Sequence, residues 1–336
     1  MSLATITGGG SFTRQNISDI NSNFQSLALQ LAGTTGNVIY CSPGSSFLGV
    51  QNGSISAPYT SLVTAYSAAR NAMNDVIVIV GDGTTSATAR VSASFTWSKN
   101  ATHLVGEGSL VPISNRARIA PTAAATAYTP FFTISGNGCQ FVNVQWFMGF
   151  TTGTTNQIGI LLTGSRNAFY YCHLAGLADA SSAGDAGSRT LKIGLTGSGE
   201  NYFKHCTLGV DTVTRSAANA TIEFTAATTR NIFEDCYFPI MTSAATPLVY
   251  YGTGSECIDR FQVFNRCCFL NATSSTSTAL TGLGTLPASA GGYLLFQQST
   301  MVGSGEWGTD ATTRGQCYID GLTGAAATSG VAVNPT

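Results

Sequence analysis

The chain has 336 residues, a net charge of −1, 9% charged residues and 10% aromatics. That length supports a large buried core, and aromatics with so few charges exclude a disordered chain. The charge balance argues against an electrostatic reader of nucleic acid, and no run of 18 apolar residues offers membrane insertion.

The first predicted element is a helix within 1–35. Ile17, Ile20, Phe24, Leu27 and Leu31 are spaced 3, 4, 3 and 4, the seam of a short coiled coil. Thr13 or Asn16 caps its start, and Gly33 ends it. About two heptads are too few to stand alone, so this segment is expected to anchor or oligomerise the chain. No basic segment precedes an apolar stretch at the start, so a signal peptide is not expected. Next, Leu62, Tyr66, Ala69 and Met73 are spaced 4, 3 and 4 and predict a capping helix over 61–73. It leads into an apolar strand from Val76 to Val80.

Beyond residue 138 one short pattern recurs six times. It is clearest in Asn167-x-Phe169-x-x-Cys172-x-Leu174, Asn201-x-Phe203-x-x-Cys206-x-Leu208 and Asn231-x-Phe233-x-x-Cys236-x-Phe238. The key phenylalanines are Phe141, Phe169, Phe203, Phe233, Phe264 and Phe296, spaced 28, 34, 30, 31 and 32 apart. Such a period means a stacked array, a solenoid. Each unit reads as an apolar strand, a Gly-rich turn and the Phe-x-x-Cys segment. Phe and Cys are three apart, which breaks the period of two and predicts a bend between them. The residues at the bend include Tyr170-Tyr171, Lys204-His205, Glu234-Asp235, Asn265-Arg266 and Gln297-Gln298, which suits an outward corner.

Stacking places like on like about 4.8 Å apart. Phe is expected over Phe. Asn167, Asn201 and Asn231 form a second column, where the amides pair along the axis or simply tolerate the turn. The corner charges alternate, positive at Lys204 and His205, negative at Glu234 and Asp235, positive at Arg266, and favour the intended register. Nine cysteines are an odd number in a long chain, which argues against a disulfide framework. Cys172, Cys206, Cys236 and Cys267 are expected inside as small hydrophobes, reduced as in a cytosol. Of Cys267 and Cys268, one thiol points in and the other out. Loops 175–188, 211–220, 241–246 and 272–292 recur after the same strand and should project from one side.

This ladder with Gly-rich turns resembles the right-handed parallel β-helix of the pectate-lyase-like superfamily. The stretches Val76 to Gly83 and Thr102 to Gly108 resemble its opening coils, and the resemblance covers roughly 57 to 322. It implies an all-β, right-handed, single-stranded parallel β-helix over 36–322, with an N-terminal helix in 1–35, a short capping helix and a tail over 323–336. The opening Ile6 to Asn16 and the following Asn23-Phe24-x-x-Leu27 resemble amino-terminal segments of tailed-bacteriophage virion proteins. That implies a homotrimeric head decoration or spike on the virion surface, assembled in the host cytoplasm. Residues 1–35 would join it to capsid or other virion proteins. The alternative is a tailspike that binds or cleaves a host surface glycan.

Family members include lyases and glycoside hydrolases, and glycoside hydrolysis needs two carboxylates about 5–10 Å apart. The candidates are Glu234 with Asp235, Glu200 with Glu223, and Asp179 with Asp185, the last two as oxygen donors for a cation. None forms a recognisable cluster, and each reads as an ordinary surface acid. His103, His173 and His205 are scattered, with His173 pointing outward from Cys172. No cofactor, metal or catalytic residue is expected.

Overall fold

The computed structural model describes residues 36–122, 129–149, 156–194, 198–254, 256–272, 279–287, 291–310 and 317–319. The anchor helix with Ile17, Ile20, Phe24, Leu27 and Leu31, and the tail 323–336, lie outside the described residues. The rest is a parallel β-solenoid of three sheets. The first sheet has ten strands, from Val38–Cys41 to Cys317–Ile319. The second has eight, from Ala89–Val91 to Thr300–Val302. The third has eight, from Phe95–Trp97 to Thr309–Asp310. A coil visits the sheets in turn: Ala168–Tyr170, His173–Ala175 and Arg189–Ile193, then Tyr202–Lys204 in the first sheet again. Strands pair only with those one coil away, and every pairing is parallel.

The columns form as expected. Phe169 pairs in register with Phe141 and Phe203, and Phe264 with Phe233 and Phe296. The six rings are fully buried and stack nearly parallel, at centroid separations of 4.8, 4.4, 4.7, 4.8 and 5.1 Å. Burial of each ring contributes about 1.5–3 kcal/mol, and each stack about 0.5–1.5 kcal/mol more.

The bend after each Phe is a single residue in the left-handed region. Asn143, Tyr171, His205, Asp235, Arg266 and Gln298 have φ between 48° and 57°. That costs a non-glycine residue roughly 1–2 kcal/mol. An inter-coil hydrogen bond offsets it. The amides of Tyr171, His205, Asp235 and Arg266 donate to Lys204, Glu234, Asn265 and Gln297 carbonyls at 2.8–3.0 Å. The corner charges pair as the alternation predicts. Lys204 meets Glu234 at 3.5 Å, His205 meets Asp235 at 3.9 Å, and Arg266 grips both acids.

The asparagine column is a hydrogen-bond ladder rather than a set of turn residues. The left-handed residue is the one before: Arg166, Glu200 and Arg230, with φ of 57°, 58° and 50°. The Oδ1 atoms of Asn167, Asn201 and Asn231 accept the amides of Cys139, Asn167 and Asn201 at 2.8–3.1 Å. Gln262 continues the column by accepting the Asn231 amide. Asn201 and Asn231 also donate side chain to side chain along the axis, at 3.0 and 2.8 Å.

The cysteines are more than small hydrophobes. The Sγ atoms of Cys172, Cys206, Cys236 and Cys267 donate to the carbonyls of Phe141, Phe169, Phe203 and Phe233, one coil back, at 3.3–3.4 Å. Ser299 takes the same place with its hydroxyl, donating to the Phe264 carbonyl. Burial pushes the Cys172 and Cys236 thiols well above the ordinary thiol range. All nine cysteines are unbridged, and Cys268 alone among them is not buried. A native chain treated with a thiol reagent should therefore show one accessible thiol, and nine after denaturation. Cys268→Ser should abolish the native phase; a native phase that survives would contradict this packing.

The capping helix is shorter than predicted. It covers Leu62–Ala68, and Ala69 is already extended. Lys99 Nζ donates to the carbonyls of Tyr66, Ser67 and Ala69 at 2.5, 3.1 and 2.5 Å, which closes the helix end. Leu62, Ala65, Tyr66 and Ala69 are buried against the first coils, whereas Met73 is 47% exposed. Asp75 locks the junction behind it. This fully buried carboxylate accepts from Arg70 Nε and Nη2 at 3.0 and 2.6 Å and from the amides of Arg70 and Asn37, both at 2.7 Å. Burial alone would raise its pKa, but these donors and the Arg70 charge outweigh it and hold Asp75 below the usual carboxylate range. The stability it adds is therefore present above the ordinary carboxylate range and lost as pH falls through the lowered folded value. Urea unfolding from pH 7 down to 3 should show this loss, and Asp75→Asn should be less stable at pH 7 with a flatter profile.

Candidate functional site

The densest polar constellation among the described residues lies on the outer face of the third sheet. Parallel register places Leu161, Lys192, Glu223 and Tyr251 side by side on successive strands. Alternation along a strand turns these positions outward while Leu191, Ile222 and Tyr250 fill the core. Glu223 is only 5% exposed, which corrects its reading as a surface acid. Its Oε1 accepts from Thr253 Oγ1 at 2.6 Å and from Lys192 Nζ at 3.2 Å. Its Oε2 faces Arg189 Nε at 3.1 Å. The Arg189 guanidinium lies 5.1 Å from the centre of the Tyr251 ring.

Arg215 sits behind this group, buried in the loop before the strand Ala220–Thr225. It donates to Asn219 Oδ1 at 2.6 Å, Thr221 Oγ1 at 3.0 Å and the Leu248 carbonyl at 2.8 Å. Burial first, then the Arg189 charge, pushes this guanidinium down to about 9, so it stays charged at neutral pH. Two cations, Arg189 and Lys192, thus hold one carboxylate, with the buried Arg215 committed to its own loop. Sequence reading misses Arg189, Lys192, Arg215 and Thr253. The signal was the repeat itself, because Lys192 and Glu223 are 31 residues apart, one coil.

The other acids are committed elsewhere. Glu200 is bound by Arg166 at 2.7 Å and by Arg230, and these hydrogen bonds hold it below the usual range. It stands in the turn before the strand Tyr202–Lys204 of the first sheet, apart from Glu223 in the strand Ala220–Thr225 of the third. Glu234 is lowered chiefly by the Tyr202 hydroxyl, and Asp235 by Arg266. Asp179 caps the short helix Ala180–Ala183 through Ser182, and Asp185 accepts from Asn156, Gly187 and Ser188. Both carboxylates serve their own loops rather than a shared cation, and no three metal-ligating side chains cluster among the described residues.

The histidines are structural. His173 does leave the coil interior, but it is 4% exposed because the loop 107–115 lies over it. Its Nδ1 faces the Ser114 amide and Gln145 Nε2, both at 3.1 Å, and its Nε2 faces the Gly209 carbonyl at 2.9 Å. Burial pushes its pKa down to about 4, so it is neutral near pH 7. His103, also buried, is likewise lowered to about 4 and accepts the Gln140 amide at 3.0 Å. A narrow gap inside the coil between Phe131, Trp146, Met148 and Thr190 has no room for a water molecule and offers no ligand site.

No family model and no curated protein matches this chain. Solved structures do. The pectin methylesterase from Aspergillus niger superposes over 88% of this chain and 93% of its own, with a TM-score of 0.52 and 14% identity. Pectate lyase Pel9A superposes over 86% of this chain and 76% of its own, at a TM-score of 0.50 and 10% identity. The tailspike protein of Acinetobacter phage vB_ApiP_P1 aligns over 89% of this chain and 63% of its own, at a TM-score of 0.39 and 15% identity. The likeness is one of fold, a pectate-lyase-like right-handed parallel β-helix, and carries no site residues with it.

Proposed function

We propose that this chain is a non-catalytic structural protein of a tailed-phage virion. It works as a homotrimeric head decoration or spike, held on the particle through residues 1–35. One observation carries the non-catalytic part: Glu200, Glu234 and Asp235 are spent tying coil to coil and are held below the usual range. A general acid requires the opposite, a carboxyl held above it. The anchor part rests on the resemblance of Ile6 to Asn16 and Asn23 to Leu27 to virion amino-terminal segments. Quantitative mass spectrometry of purified virions should find the chain at dozens of copies or more. A chain lacking residues 1–35 should keep its melting temperature but be missing from particles. Entry of that chain into particles would refute the anchor role.

A second reading, binding or cleavage of a surface polysaccharide, is favoured by the third-sheet constellation. Lys192, Thr253 and the half-buried Tyr251 offer an ammonium, a hydroxyl and an aromatic ring on one face. The fold is also that of solved structures named as a pectin methylesterase and a pectate lyase. Release of reducing sugar from host capsule or lipopolysaccharide, abolished by Glu223→Gln, would establish it over the scaffold reading.

A further inference from the structure

A different face of the solenoid holds three arginines without acidic partners. Arg90 lies in the strand Ala89–Val91, Arg118 in Ala117–Pro121, and Arg116 immediately before it, all at the second sheet's first two strands. Register pairs Arg90 with Ala120, so Arg90, Arg116 and Arg118 share the outward parity. Strand geometry puts their Cα atoms within roughly 7–8 Å of a neighbour. Arg90 and Arg116 are exposed and Arg118 is half-buried.

The other surface arginines among the described residues, and Lys192 and Lys204, each have a carboxylate in ion-pair contact. These three have none. The closest approach to compensation is Asp82, which feels the Arg116 charge while its carboxylate accepts the Thr84 amide at 2.7 Å. Burial, and then the charges of Arg90 and Arg116, lower Arg118. A folded chain with few charges thus keeps three like charges together, at a cost that binding an anion would offset.

Arg118 is also held ready. Its Nε donates to Gln145 Oε1 at 2.7 Å, and Gln145 Nε2 faces His173 Nδ1 at 3.1 Å. His173 Nε2 in turn donates to the Gly209 carbonyl. Because His173 is neutral and doubly engaged, Gln145 can present only its oxygen to Arg118. The guanidinium packs on the Phe147 ring, 5.7 Å from its centre. That leaves its two Nη groups for another acceptor, in the fixed fork that binds a carboxylate in bidentate fashion. Arg90 spends only one Nη, on the Pro121 carbonyl at 2.7 Å.

We propose that Arg90, Arg116 and Arg118 form a binding site for an acidic polysaccharide, each guanidinium taking a sugar carboxylate. A sugar chain fits better than nucleic acid, because three cations on a net-negative protein give weak phosphate-driven binding. The site lies away from the third-sheet constellation and stands whether or not the chain belongs to a virion.

The test is calorimetry of the full-length chain with a short alginate oligomer, with dextran and single-stranded oligo(dT) as controls. Alginate should bind, dextran should not, and log Kd should rise with log salt at a slope of about 2–3. Arg90→Gln/Arg116→Gln, which leaves the Arg118–Gln145 bond in place, should weaken binding at least ~10-fold without changing the melting temperature, at about 1.4 kcal/mol per tenfold. Arg118→Lys, which keeps charge but loses the fork, should weaken it as well. No alginate binding, equal binding by wild type and the double variant, or oligo(dT) binding as tightly as alginate would each overturn the proposal.

Discussion

Phe203→Ala should destabilise the solenoid by about 3–5 kcal/mol, the range for emptying an aromatic site in a packed core. The ring is fully buried between Phe169 at 4.4 Å and Phe233 at 4.7 Å, so its removal breaks two stacks and leaves a void that flat neighbours cannot fill. The coil cannot collapse into the void, because its three strands are fixed by hydrogen bonds to the coils on either side. Phe203→Leu keeps most of the volume but loses both stacks, and should cost about 1–3 kcal/mol, less than alanine. Urea denaturation of both variants checks this. A cost below about 1 kcal/mol for the alanine variant would mean that the stack does not support the coil.

Asn201→Ala is expected to be nearly as damaging, at roughly 2–4 kcal/mol, from a side chain far smaller than phenylalanine. The loss is of partners rather than of volume. Asn201 Oδ1 accepts the Asn167 amide at 3.0 Å, and its Nδ2 donates to the Gly164 carbonyl at 3.3 Å and to Asn231 Oδ1. The variant leaves a buried N–H and a buried carbonyl without water to replace the amide. Asn201→Asp tests the distinction: it keeps the acceptor but sets a buried carboxylate against the Gly164 carbonyl and Asn231 Oδ1, so near neutral pH it should be at least as unstable as alanine and should recover stability as the pH falls. Equal stability of Asn201→Ala and wild type would show that the column is incidental.

The columns were legible because the coil length barely varies. Phenylalanine, cysteine and asparagine recur at the same offsets, so the chain writes out its own register, and the three-residue step from Phe to Cys exposes the corner. What escaped was whatever depends on a neighbour coil without repeating itself. Glu223 looks like any strand-borne acid until Lys192, Arg189 and Thr253 arrive from the coils before and after. His173 alternates outward as its position requires, but loop 107–115, two coils earlier, buries it. The left-handed conformation of Arg166, Glu200 and Arg230 had no local signal, because long charged residues rarely adopt it. It is enforced by the asparagine that follows each of them. The helix ends before Met73 for a similar reason: Lys99, some thirty residues away, takes the carbonyls that a further turn would use.

The alternation of sign at the corners sets the step in which such a shaft can lengthen. Duplicating one coil, residues 204–233, would set a second Lys-His pair directly on the first and introduce repulsion at the new seam. Duplicating two coils, residues 204–264, returns positive to negative at every rung and keeps aromatic over aromatic throughout. A shaft extended by whole coils therefore keeps its corner charges paired in increments of about 10 Å, two rungs at a time.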